Sequence, residues 1–275
     1  MSHSHAPSPK LPITLGVMSR YFFAASSRSA VGLVRNGNED SALIDSRVIA
    51  VADGMGGHAG GEVASATAIN TLAKIIPVIS SDEIDSDSAE DLFLNSLYSV
   101  DEQIKIVADE DPGLSGMGTT LTALFLQGES VALLHVGDSR AYRLRGSSIE
   151  QLSADHTVLQ ELISKGAISI SEAADHPQRS ILTQALMGEG NLEAALQLFS
   201  VEAKDRYLLC SDGLTGVLSE KEIKSLIKGK DRDEAISALI DATYINGAPD
   251  NVTVVIADVV ESPETKLRKF GAAEA

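Results

Sequence analysis

The chain places acidic residues at five sharp backbone turns: NED at 38–40, DGMGG at 53–57, GDSR at 137–140, SDG at 211–213 and PDN at 249–251. Runs such as VIAVAD and YLLCSD climb through apolar residues to a carboxylate at their end. That is the pattern of a buried strand delivering a side chain to the edge of a sheet. The reading is a fold whose strand ends build a carboxylate-lined metal site. Oxygen-only ligands suit hard, octahedral ions such as Mg²⁺ or Mn²⁺, and no Cys/His cluster offers zinc a better home.

At 275 residues without a low-complexity linker, the chain reads as one large domain. It contains no run of some 18 or more apolar residues and no basic n-region joined to an apolar stretch at its start, so no membrane segment and a cytoplasmic location are expected. The single Cys210 excludes an internal disulfide and reads as a small buried strand residue. A net charge of −17 argues against nucleic acid as a partner.

Residues 1–17 are rich in Ser, Pro and His and read as a disordered extension, with Met18 a possible biological start; 18–260 read as the folded domain and 261–275 as a tail or linker. Strands are expected near 21–26, 30–34, 41–45, 47–52, 119–126, 130–136, 140–145, 149–152, 196–201, 206–210 and 252–260. Most should pair antiparallel. Helical periodicity falls at 62–79, 89–109, 156–165, 219–228 and 231–245. Helices and strands segregated in this way indicate an α+β fold. The small, polar stretch 166–180 stands apart as a candidate binding loop.

Seven segments together, RNGNED, VADGMGGHAGGEVAS, GMGTTLTA, HVGDSRAYRLR, HPQRSILTQALMG, YLLCSDGL and GAPDNVTVV, occur in the order found in bacterial metal-dependent protein phosphatases of the PP2C (PPM) type, which the chain therefore resembles from about Ser19 to Val260. The resemblance implies a four-layer αββα sandwich, with two mostly antiparallel sheets flanked by helix pairs. It also implies two tightly bound Mn²⁺ or Mg²⁺ ions and a third, weaker one. Asp53 would bridge the pair, Asp212 and Asp250 would complete the first ion's shell, and Glu39 with the carbonyl of Gly54 would serve the second. Asp138 and the backbone of Ser180, in a flap over 166–180, would hold the third.

Asp40 is expected to hydrogen-bond a metal-bound water and so to orient the ligands. Arg35, four residues before Glu39, can bring a planar guanidinium to the substrate phosphate. The sequence departs from eukaryotic relatives in having Met55 where they have histidine; its own is His58. Either His58 or a metal-bound water is the proton donor to the leaving group. His135, mid-strand, reads as a hydrogen-bonded core residue. The implied activity is hydrolysis of phosphoserine and phosphothreonine in proteins, by in-line attack of a water or hydroxide bridging two metals. The implied partners are Ser/Thr kinases and their substrates. A phosphatase dedicated to an anti-sigma-factor antagonist and a binding-only pseudophosphatase are the alternatives; intact motifs weigh against both.

Overall fold

Strand β3 (Val48–Met55) shows why the apolar runs are continuous. Its Val48, Ala50 and Ala52 enter one core and its Ile49 and Val51 another. β10 (Arg206–Cys210) repeats the division: Tyr207 and Leu209 share the core of Ile49, while Leu208 and Cys210 enter a third. A strand covered on both faces needs no polar alternation. The computed structural model that shows this describes residues 21–57, 59–81, 84–169, 181–193 and 195–274.

Three cores separate four layers. One sheet has the order β1-β11-β10-β7-β8, built from Phe22–Ala30, Val252–Val260, Arg206–Cys210, Arg140–Arg145 and Ser148–Gln151. The other has the order β12-β2-β3-β5-β6-β9, built from Arg268–Gly271, Asp40–Ile44, Val48–Met55, Leu121–Gln127, Ser130–Val136 and Gln197–Ser200, with the short β4 (Gly118–Thr119) also on β3. All these pairings are antiparallel. Helices α1 (Gly60–Ile79) and α2 (Ser86–Glu110) pack on the second sheet. After α3 (Val158–Ser164) and the single turn α4 (Asp212–Thr215), helices α5 (Glu220–Ile227) and α6 (Arg232–Ile245) pack on the first. The α+β sandwich inferred from the resemblance is the observed architecture.

The helix starts follow local chemistry. Ser219 and Glu222 form a reciprocal capping box at α5, and the Asp231 carboxylate accepts the Glu234 N–H at α6. Helix α1 is long and apolar enough by composition to cross a membrane. Its Ala64, Ala68, Ile69, Leu72 and Ile76 are instead fully or almost fully buried in the core beneath α2.

Three expectations need correction. The strand read at 30–34 is absent: β1 runs unbroken to Ala30, and Leu33 and Val34 are 63% and 68% exposed. Gly32 turns the chain there with φ +82°, and a Cβ on it would sit 2.2 Å from the Asp250 carbonyl oxygen. The strand read at 119–126 breaks at Thr120, whose N–H turns to the carbonyl of Asp53. The tail at 261–275 contains β12, paired with β2 from Arg268↔Ile44 to Gly271↔Ser41, and Ala273 is buried against α1. Residues 1–17, Met18, His58 and most of the 166–180 stretch, Ser180 included, lie outside the described residues.

Candidate metal centre and active site

Both sheets end at one rim. The β2/β3 register sets Asp40 opposite Asp53, with Glu39 immediately before β2. Asp138 follows β6, Asp212 follows β10, and Asp250 precedes β11. Asp53 lies within electrostatic reach of Asp40, Asp212, Asp138 and Asp250. The rim therefore brings together all the acidic residues assigned to the site.

Burial governs their chemistry. Desolvation first, and repulsion from neighbouring carboxylates second, push Asp53 well above the ordinary carboxylate range and raise Asp212 in the same direction. Asp138 is pushed to about 7, by burial and then by Asp212 and Asp155. Asp40 is also pushed to about 7 by burial, against the opposing pull of hydrogen bonds from Ser211 and Thr253. Glu39 is raised by burial and drawn back by Arg35.

Among the described residues, no three of these groups close into a ready-made metal cage. The cation among them is Arg35, whose Nη2 donates to Asp250 Oδ2 at 2.7 Å and whose Nη1 lies 3.7 Å from Glu39 Oε2. The donor set nevertheless fits hard divalent ions. It consists of oxygens alone, its carboxylates repel one another with only partial relief from Arg35 and Arg140, and the buried Oδ1 of Asp40 has no hydrogen-bond partner. The backbone also fits: a Cβ at Gly54 would stand 1.9 Å from the Gly61 carbonyl oxygen and 2.5 Å from that of Glu39, so only glycine can occupy this crossing.

Residues to which the sequence reading gave no role hold the rim in shape. Asn251 is a clamp: its Oδ1 accepts the Glu39 N–H at 2.8 Å, and its Nδ2 donates to the carbonyls of Val31 and Gly37, both at 2.8 Å. It thereby fixes the loop that carries Arg35 and Glu39. The buried Ser211 donates its hydroxyl to Asp40 Oδ2 at 2.7 Å and accepts the Thr253 N–H. Thr120 Oγ1 accepts the Asp53 N–H at 3.0 Å and meets the Ser139 hydroxyl at 2.8 Å, while the Thr119 hydroxyl donates to the Asp53 carbonyl. Arg140 grips both oxygens of Asp155 and so anchors the turn bearing Asp138. The signal was visible in the polar residues of GDS, SDG and PDN, each beside an acid, but their partners are up to 220 residues away, and the TT at 119–120 has no acid next to it.

His135 is the core residue it was read as, with Nδ1 2.9 Å from the Thr122 hydroxyl and Nε2 3.1 Å from the Ala154 carbonyl. Burial pushes the Cys210 thiol up to about 12, which rules it out as a neutral-pH nucleophile.

The family profile described as Protein phosphatase 2C matches residues 38–244. The chain is 42% identical over 236 residues to the serine/threonine protein phosphatase PstP of Mycobacterium tuberculosis, covering 86% of this chain but 45% of that relative. It is 34% identical to the serine/threonine phosphatase stp of Listeria welshimeri, covering 85% of this chain and 95% of the relative. A crystal structure of the PstP catalytic domain in complex with two manganese ions superposes with a TM-score of 0.79 at 38% identity, covering 87% of this chain and 99% of that one. With the motifs at one rim and the sandwich in common, the chain belongs to the protein phosphatase 2C family.

Proposed function

We propose that the chain hydrolyses phosphoserine and phosphothreonine in proteins, with Ser/Thr kinases and their targets among its substrates. The observation that carries this reading is the crowding of Glu39, Asp53, Asp138, Asp212 and Asp250 at one rim, where Arg35 and Arg140 offset only part of their negative charge. Asp53, Asp212 and Asp250 would hold one ion, and Asp53, Glu39 and the Gly54 carbonyl a second; Asp138 would hold a third and weaker one. A pair of divalent ions supplies a nucleophile at neutral pH and neutralises the phosphoryl oxygens.

The chain's own residues orient and bind. Arg35 is 47% exposed, so it can turn N–H donors outward to two phosphoryl oxygens while Asp250 steers it from behind. Asp40, held through Oδ2 by Ser211, keeps Oδ1 free to accept a hydrogen bond from water. Asn251 fixes the distance between the arginine and the carboxylates.

Release of phosphate from a phosphothreonine peptide with Mn²⁺, stopped by a chelator, is the expected result. Tight binding of the peptide with no release would mean a binding module and overturn the reading.

A further inference from the structure

Away from the carboxylates, at the other end of the five-stranded sheet, Leu144, Arg206 and Asp258 stand side by side in register across β7, β10 and β11. They share the sheet face of Tyr142, Leu208 and Ile256, which is covered by α5 and α6. The turn after α5 and the loop bearing Lys204 border a cavity of about 560 Å³ here. That volume lies within the range of ligand sites. From Arg206 to Cys210, β10 separates the cavity from Asp212 by roughly 13 Å of strand.

The wall is basic in a chain whose net charge is −17. Its one acid, Asp258, is fully engaged: Arg206 reaches its two oxygens at 2.6 and 2.9 Å, and Arg232 reaches it at 3.1 Å. Arg206 also donates to the carbonyls of Ile227 and Lys230, at 3.2 and 2.8 Å. It thereby covers the negative end of α5, which would otherwise repel an anion. Left over are Lys204, Lys228 and Lys230, which form no ion pair among the described residues. Lys204 takes φ 71°, a left-handed conformation unusual for a lysine. Leu144 and Val260, both only partly buried, give the cavity an apolar wall.

We propose that this cavity docks an acidic segment of a protein partner, its carboxylates on Lys204, Lys228 and Lys230 and an apolar side chain against Leu144 and Val260. Charge complementarity selects the acidic partner, since the lysines have no acid of their own. Lysines set on two separate loops, with an apolar wall in the same cavity, suit spaced carboxylates and an intervening side chain better than one compact inorganic anion.

The probe is a dye-labelled peptide of alternating glutamate and leucine, followed by fluorescence anisotropy on the Mn²⁺-loaded full chain. Reversing the three lysines together (Lys204→Glu, Lys228→Glu, Lys230→Glu) should weaken binding at least tenfold. Thermal stability and hydrolysis of a small aryl phosphate should stay as in the parent. Arg35→Ala, at the metal end, should keep the parent's peptide affinity. Unchanged binding by the triple variant overturns the proposal, as does equal loss in Arg35→Ala, which would place the peptide at the metal centre. Displacement by inorganic phosphate but not by chloride at matched ionic strength also overturns it, in favour of a simple anion site. Phosphatase activity is read separately, so a chain that binds the peptide but hydrolyses nothing would fail only the catalytic reading.

Discussion

At one end of the five-stranded sheet, Arg206 holds Asp258 through two hydrogen bonds, and Arg145 holds the buried Asp205 through two more, at 2.7 and 2.6 Å. At the other end, Asp212 faces Asp53 and Asp250, and burial drives carboxyls toward their neutral form. The same strands therefore carry acids each held by an arginine at one end and, at the other, a crowd of buried acids that Arg35 and Arg140 only partly offset. Unmatched buried charge is costly, so it persists where something from outside the chain completes it. Buried acids with raised proton affinity therefore mark the functional end without reference to any relative.

The largest expected effect breaks the unmatched end. Asp53→Asn keeps the shape and removes the central carboxylate, so turnover should fall by at least about a hundredfold. Stability of the metal-free protein should hold or rise, because a repelled, desolvated group has been neutralised. Turnover and thermal unfolding measured on the same preparation test this. A folded variant with near-parental turnover would remove Asp53 from the centre, and a large loss of stability would show that the acids support the fold.

The matched end should behave in the opposite way. Arg206→Ala leaves Asp258 with Arg232 alone and frees two carbonyls at the end of α5. Breaking a buried pair costs about 3–5 kcal/mol, and the partial exposure of these side chains lowers that to about 2 kcal/mol. Urea unfolding should report the loss, while turnover per folded molecule stays at the parental level. If the loss appears in turnover instead, the two ends are coupled and the contrast fails.

The two ends also differed in how far the sequence disclosed them. Asp53, Asp138 and Asp212 were legible because each closes an apolar run, and a strand that ends in a carboxylate is a local pattern, whereas Glu39 and Asp250 stand in polar turns before their strands. Asn251 was not, because its meaning lies in Val31, Gly37 and Glu39, which only the fold brings near. The failed strand at 30–34 has the apolar residues a strand needs, yet Gly32 and the Asp250 loop bend it outward. β12 was missed for the reverse reason: Arg268–Gly271 is four residues long with two cations, and only its edge position beside β2 makes it a strand. The Arg206–Asp258 match was equally hidden, 52 residues apart in the chain.

Arg35 sharpens the comparison from inside the acidic end, as the cation paired with Asp250. Arg35→Ala should raise KM by roughly tenfold with a smaller change in kcat, since a phosphate contact is made in ground and transition states alike. Steady-state kinetics and inhibition by inorganic phosphate should move together. If both are unchanged, Arg35 only balances Asp250 and does not meet substrate.

The smallest effect tests whether unmatched burial suppresses charge of either sign. His135, close to the acidic rim, has no acid against it among the described residues: the Thr122 hydroxyl and Ala154 carbonyl hold the ring, the His156 ring lies tilted 4.9 Å away, and Arg140 adds repulsion. Burial, then His156, lower it from its ordinary value near 6.5 to about 3. The unfolded chain therefore binds the proton first as pH falls. Its contribution to stability is present above about 6.5 and is lost progressively toward 3. Between pH 7.5 and 6 that loss is about 0.8 kcal/mol. His135→Gln keeps a donor and an acceptor but cannot titrate. Its stability, measured by urea unfolding at both pH values, should fall by about 0.8 kcal/mol less than the parent's over that interval, and the subtraction cancels the carboxylates common to both proteins. Parallel pH profiles would mean that His135 carries its proton in the folded state, and that this end of the sheet tolerates a buried cation after all.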